Sequence, residues 1–440
     1  MAKVARTLFR WQEVESLGDL RRLELVLSVL PDEGLMKALE ASRGRGRDDY
    51  PVRAIWNSLI AGVVFGHASI ESLRRELRRN GQLRDLCGFD AVRGEEAVPP
   101  AWVYTRFLKR LMEEEEAIQR LFDDLVGKVA EALPDFGERM AIDGKAIETH
   151  ARWRENGGMP EAADGRRDVD ANWGTKSYEG KGQDGTLWKK VTHWFGYKLH
   201  LIVDALYELP VAFEVTQASE AEQPVGRKLL ETLAQAQPTV VERCESLAGD
   251  KGYDDGRLIA QCWEKYGIKA VIPIRHLWKG EEALRPVSGF SNVFYTEEGE
   301  VYCCCPKTAR QTQMAYGGFE KDRGTHKYRC PARHYGMQCP GMARCPVNTA
   351  IRIPLEEDRR VFPPLARTHR AWARVYRTRT TVERVNSRLD VSYGFEHHFI
   401  RGWKKMWLRC GLAFIVMLAM ALGRVKEKQR ENLRSLVKAA

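Results

Sequence analysis

The chain has 440 residues, enough for two or three domains, and its 44% apolar content excludes wholesale disorder. Lys plus Arg outnumber Asp plus Glu by 70 to 60, a formal +10 with a pI near 9.0, which favours a polyanionic partner, nucleic acid ahead of anionic membrane. Residues 1–30 hold no uninterrupted apolar core, and the longest apolar run, Gly411 to Gly423, is too short to cross a bilayer. A cytoplasmic protein with reduced cysteines is therefore expected, and the apolar run reads as a buried helix.

Residues 1–135 read as helical throughout. Val52, Ile55, Trp56, Leu59, Ile60, Val63 and Val64 repeat at helical spacing, with Pro51 suited to the first turn. Ser69 caps a second helix that turns Ile70, Leu73 and Leu77 inward and Arg74, Arg75, Arg78 and Arg79 outward, ending at Asn80-Gly81. The two read as a helix-turn-helix. Pro99-Pro100 opens a long helix that continues past Glu113–Glu116. Near residue 138 the texture changes to short strands alternating with helices, the mark of an α/β layer. Strands are expected at 139–147, 193–205, 209–217, 245–250 and 268–274, with helices at 224–236 and 256–266. A Gly-rich, charged stretch, roughly 154–190, reads as a loop that orders on DNA. Residues 276–350 form a Cys- and Pro-rich block, and helical texture resumes near Arg367.

Three carboxylates stand apart. Asp143 ends the apolar run Met140-Ala141-Ile142, Asp250 follows Ser246-Leu247-Ala248-Gly249, and Glu383 lies in a basic helical stretch. A lone acid at a strand end is most often a cap, and a lone Glu among arginines half of an ion pair. Two strand-borne acids and one helix-borne acid that converge can instead hold two divalent ions, roughly 4 Å apart, at a phosphate. Gly144 and Gly249 are expected to leave room beside the aspartates for a DNA backbone.

The segments Ala141-Ile142-Asp143-Gly144-Lys145, Phe195-Gly196-Tyr197-Lys198-Leu199-His200, Gly249-Asp250-Lys251-Gly252-Tyr253 and the Glu383 helix resemble, in this order, those of bacterial insertion-sequence transposases of the DDE type. The resemblance covers roughly residues 50–425. It implies an α/β fold with an RNase H-like mixed-sheet catalytic domain, an all-helical N-terminal domain and a Cys-rich insertion. The expected division is a helical DNA-binding domain (1–135), a catalytic core in two parts (136–275 and 351–425) around the insertion (276–350), and a charged tail (426–440). It also implies that Asp143, Asp250 and Glu383 bind two Mg²⁺ (or Mn²⁺) ions, and that the protein acts as a homodimer on double-stranded DNA, element ends and target, near the nucleoid. Neither a membrane nor a small-molecule substrate is expected. A nuclease without strand transfer, or an inactive DNA-binding descendant, are the rival readings.

Tyr376, Arg379 and Glu383 match a Tyr, Arg, Glu, Lys signature of such transposases, whose spacing puts all of them on one helical face. The fourth position is Asp390, not Lys, which leaves Arg384 or Arg388 to take its place at a phosphate. Lys145, Lys198, Arg401 and Lys404 are further DNA contacts implied by the motifs they sit in. Phe399, Trp403 and Trp407, spaced by four, read as a packed face. Within the Cys block, one of Cys303, Cys304 and Cys305, with Cys305 favoured, together with Cys330, Cys339 and Cys345 offers a four-thiolate zinc site, with His334 in reserve. Cys87, Cys244, Cys262 and Cys410 read as packed thiols.

Overall fold

The computed structural model describes residues 17–44, 49–90, 92–151, 168–181, 186–278 and 284–433. Residues 154–167 and 182–185 of the expected loop, and 434–440 of the tail, lie outside them. The fold is mixed α/β and divides into two compact units. The first comprises Met1–Phe136, Gly144–Glu220 and Glu383–Ala440, and the second Gly137–Asp143 and Ala221–Val382.

The first unit opens with helices α1 (Arg21–Val29), α2 (Glu33–Arg43), α3 (Val52–Val64), α4 (Ile70–Arg79), α5 (Gly81–Cys87), α6 (Ala101–Leu111) and α7 (Glu115–Ala132). α3 is apolar on nearly every side and is buried on nearly every side. Its Trp56 donates to Asp32 Oδ2 at 2.6 Å, so the buried indole N–H is satisfied. α4 starts where expected, with a reciprocal capping box between Ser69 and Ser72. The expected long helix after Pro100 is two helices, broken at Met112–Glu114. Carboxylates are favoured at a helix N-terminus and not at a C-terminus, so the run Glu113–Glu116 starts α7 and does not extend α6.

Strand β1 (Arg139–Glu148) begins in the second unit and crosses into the first after Asp143. In the first unit it lies beside β3 (Leu187–Asp204), which pairs antiparallel with β2 (Asn172–Lys181) and β4 (Pro210–Gln217). The stretch expected to be a loop is therefore, where described, a ribbon, paired from Asn172 with Gly196 to Lys181 with Leu187. Leu187–His193 are exposed on both faces, so the ribbon carries no apolar alternation that would have announced it.

The second unit holds α8 (Glu222–Ala236), α9 (Pro238–Glu242), β5 (Ser246–Gly249), α10 (Gly256–Tyr266) and β6 (Lys269–Val271). The first half of β1 runs parallel to β5, and β5 parallel to β6. Two small antiparallel sheets follow: β7 (Arg285–Pro286), β8 (Val293–Tyr295), β9 (Val301–Cys304) and β10 (Gln311–Gln313) form one. β11 (Ala315–Glu320), β12 (Thr325–Arg329) and, beyond helix α11 (Pro331–Tyr335), β13 (Ala350–Pro354) form the other. They share a core of Val293, Tyr295, Val301, Tyr328, Ile353 and Phe362 among others. Helix α12 (Arg370–Tyr376) packs on β5 and β6. A 3-10 turn, Arg377–Arg379, leads into α13 (Thr380–Tyr393), which passes into the first unit at Glu383.

The last helix, α14 (Trp403–Lys426), belongs to the first unit and outruns the expected apolar segment. It has the length and composition to cross a membrane, yet 94% of its most apolar window is buried, against α1, α3, α7 and β4. Gly411 and Gly423 bring its axis close to Ile118, Phe213 and Leu25.

Candidate active site

Two of the three expected acids come together in the second unit through strand register. Met140, Ala141 and Ile142 are fully buried, as a parallel strand covered on both faces requires. Ile142 pairs with Gly249, so the next residues, Asp143 inside β1 and Asp250 just past the end of β5, follow at one level. Asp143 is 7% exposed. Asp250 caps the 3-10 turn Lys251–Tyr253, accepting the Gly252 N–H at 2.9 Å.

A third carboxylate of this unit, Glu222 in the first turn of α8, joins them and was not among the expected residues. A Cβ on Gly252 would collide with the Glu222 carboxylate and lie 2.9 Å from Asp250 Oδ1, so both acids close on this glycine. Tyr253, fully buried, lies against Gly226 of α8. Its hydroxyl is pushed far above its usual range by burial and then by the charges of Glu222, Asp143 and Asp250. The only sequence signal for Glu222 is an acid at a helix start. Its place beside Asp250 is a tertiary fact.

Gly249 does not leave space for a ligand. A Cβ there would stand 3.0 Å from Ile142 Cγ2 and 3.5 Å from Tyr253 Cβ, so the glycine serves close packing between strands.

The signature around Glu383 is not one straight α-helix. Tyr376 ends α12, Arg379 ends the 3-10 turn, and Glu383 lies in the first turn of α13. The tighter 3-10 winding shifts the angular positions that a continuous α-helix would give. The turn packs on β5, the strand that delivers Asp250. Tyr376 stacks on Trp372 at 4.9 Å, and the Arg379 guanidinium lies 5.8 Å from the Tyr376 ring centre. Glu383 is exposed.

Other expected contact residues have protein partners. Lys145 pairs with Asp390 at 2.6 Å, so the residue that departs from the signature meets a lysine of the first motif. Lys198 donates to the Glu220 carbonyl at 2.8 Å. Arg384 reaches Glu208 Oε1 at 2.7 Å, and Arg388 donates to the Glu208 carbonyl, so both bind the β3–β4 turn. Arg74 is not outward: it lies down on the Pro99 carbonyl at 2.8 Å and on Glu71 at 2.7 Å. Arg75, Arg78 and Arg79 are exposed, Arg79 beside Glu76. Lys404 is exposed and Arg401 half-buried. Trp403 and Trp407 stack as expected, whereas Phe399, ahead of the helix, is 66% exposed.

None of the ten cysteines is joined in a disulfide. Cys303, Cys304, Cys305, Cys330, Cys339 and Cys345 line one cavity of about 310 Å³. The Thr308 hydroxyl and the N–H groups of Lys307 and Thr308 bring the Cys305 thiol down to about 6, while burial pushes Cys303 up to about 11. His334 is exposed and packs on Tyr335, away from the cavity.

The acids around Tyr253 offer only carboxylate oxygen, the donor set that Mg²⁺ and Mn²⁺ take. Among the described residues no three His, Cys, Asp or Glu side chains are grouped closely enough to enclose an ion as they stand.

Comparison with known proteins gives two family matches. The model described as "Transposase DDE domain" matches residues 135–419, and that described as "Transposase domain (DUF772)" matches residues 10–110. No match was found among curated proteins. Among solved structures, a piggyBac transposase synaptic complex with hairpin DNA aligns at 11% identity and a TM-score of 0.40, over 95% of this chain and 79% of that one.

Proposed function

Because the chain belongs to the transposase DDE domain family, we propose that it binds the ends of an insertion sequence, breaks a phosphodiester bond to free a 3′ hydroxyl, and joins that hydroxyl to target DNA. The observation that carries this reading is the pairing of Ile142 with Gly249, after which Asp143, inside β1, and Asp250, just past β5, follow on neighbouring parallel strands. The reading takes the catalytic core to be RNase H-like.

Asp143 and Asp250 are the carboxylates that would hold divalent ions, with Glu383 as the third acid on the strength of its motif. Two bound Mg²⁺ or Mn²⁺ ions would supply Lewis-acid activation of the attacking oxygen and neutralise the leaving one. Water attacks the phosphorus, the P–O3′ bond breaks, and the departing oxygen takes a proton. In joining, the freed 3′ hydroxyl attacks a target phosphodiester and a new P–O bond replaces an old one. No covalent link to the protein forms in either step. The Gly252 N–H at one Asp250 oxygen and the place of Asp143 within β1 support these two acids as the ligands.

DNA contact falls to the exposed Arg75, Arg78 and Arg79 on α4, to the exposed Lys404 at the start of α14 with the half-buried Arg401 just before it, and to Arg379 with Tyr376 next to β5. Lys145, Lys198, Arg384, Arg388 and Arg74 belong to the same surface reading only where DNA displaces their present partners. Two ends cut together call for a homodimer on DNA, working in the cytoplasm at the nucleoid.

The test is cleavage and joining of a labelled end fragment taken from the sequence flanking the gene, with Mg²⁺, with EDTA, and with Asp250→Asn. Metal-dependent 3′ nicking followed by a joined product, absent in the variant, is expected. Nicking without joining would make the protein a nuclease, and tight binding without cleavage under either metal would overturn the enzymatic reading.

A further inference from the structure

The densest cluster of metal-ligating groups away from the aspartates is the Cys cavity between the two small sheets. Four of its six cysteines precede proline: Cys305-Pro306, Cys330-Pro331, Cys339-Pro340 and Cys345-Pro346. Proline fixes φ and brings no N–H, so the chain turns after each cysteine and the following N–H groups can fold back on the sulfur.

The hydrogen bonds divide the three adjacent cysteines. Cys303 donates its S–H to the Thr312 carbonyl at 3.6 Å, and Cys304 donates to the Ala309 carbonyl at 3.3 Å. A carbonyl oxygen faces a thiol, not a thiolate. Cys305 is turned the other way: its sulfur accepts from the Cys339 thiol and lines the cavity.

Cys305 has company of the right spacing. Its sulfur lies 4.0 Å from that of Cys339, close to the edge of about 3.8 Å that a tetrahedron with Zn–S bonds of about 2.3 Å requires. A Cβ at Gly341 would stand 2.8 Å from Cys305 Sγ, so the turn needs glycine. Cys345 accepts the Asn292 amide at 3.3 Å, from a side chain that is itself 7% exposed. Cys330 is the N-cap residue of α11 and lines the same cavity as Cys345 and Cys339.

We infer that Cys305, Cys330, Cys339 and Cys345 bind one structural Zn²⁺ as a four-thiolate site that closes the Cys-rich module. Cys303 and Cys304 remain outside the site, hydrogen-bonded to the Thr312 and Ala309 carbonyls. The four sulfurs are drawn inward from their present spacing on binding, since no three are yet grouped around a point. This site stands apart from the reading of the aspartates, and its zinc content does not depend on DNA cleavage.

The full chain, purified under reducing conditions and reconstituted with Zn²⁺, is measured for bound metal by mass spectrometry after gel filtration. One Zn²⁺ per chain is expected. Co²⁺ in its place should show the ligand-field bands of a tetrahedral thiolate site. Cys305→Ser, Cys330→Ser, Cys339→Ser and Cys345→Ser should each weaken zinc retention at least tenfold against a competing chelator, while Cys303→Ser and Cys304→Ser retain it. Circular dichroism separates a lost ligand from a lost fold. No zinc in the reconstituted chain, or loss in Cys303→Ser with retention in Cys305→Ser, overturns the assignment.

Discussion

Asp250 and Asp254 stand in one short turn and keep opposite company. Asp250 leaves β5 partly exposed, with the Gly252 N–H at one oxygen and the Glu222 carboxylate nearby. Asp254 has a fully buried side chain that accepts the Arg275 N–H at 2.7 Å and faces Arg360 at 3.1 Å and Arg367 at 3.5 Å. Arg360 also reaches Glu297, so the turn after Asp250 is tied to the Cys-rich module through internal charge pairs. Burial raises Asp254 even against these cations. A buried acid balanced by arginine serves architecture, while acids clustered against one another keep a need for cations. The motif itself, Gly249-Asp-Lys-Gly-Tyr-Asp-Asp, does not tell the two roles apart.

The largest effect is expected at Asp250. Asp250→Asn should fold and melt as the parent does yet lose about 1,000-fold in single-turnover end cleavage, the loss of about 4 kcal/mol that one metal ligand carries. A variant that melts early with cleavage intact would reverse the roles assigned to the two aspartates. Next in size is the buried side. Arg360→Ala should cost about 3 kcal/mol in denaturant unfolding, because it strands Asp254 and Glu297 without their shared cation. Asp254→Asn should be destabilised too, and the double variant should lose less than the sum.

Glu222→Gln sharpens the other side. With its charge gone from beside Asp250, the Mg²⁺ concentration needed for half-maximal cleavage should shift by about tenfold, with melting unchanged. An unchanged metal requirement would return Glu222 to a structural role. The smallest effect is titration of the interior. His326 is fully buried between the Tyr316 hydroxyl and the Pro363 carbonyl, and burial lowers its pKa to about 4. Its folded pKa lies below the unfolded 6.5, so protonation favours unfolding. Stability is full above pH 6.5 and should decline as pH falls towards 4. His326→Gln should flatten that decline in melts taken across the window.

Elements with strong local signals were legible. Helix 256–266 was bounded as expected, because Asp255 caps its start and Gly267 takes the left-handed conformation at its end. The strand placement of Asp143 and Asp250 was legible because apolar runs lead into them and parallel strands carry such runs. The ribbon Asn172–Lys181 with Leu187 onward was not legible, since exposed faces leave no period to read. Arg74 and Arg75 are neighbours on one helix, yet only the Pro99 carbonyl, 25 residues away, decides that Arg74 lies down. Glu222 and the packing use of Gly249 share that cause: contacts between distant segments leave no mark on local pattern.

The pair of Lys145 with Asp390 also limits how this sequence can change. Where related transposases carry Lys at the signature position, this chain carries an acid and has paired it with a lysine of the first motif. Replacing Asp390 alone by Lys would set two cations together, and replacing Lys145 alone would leave the acid without its cation. The two positions are therefore coupled by charge, and a change at one is best tolerated with a change at the other. Lineages that carry the acid at 390 should carry a cation at 145, two positions 245 residues apart behaving as one inherited character.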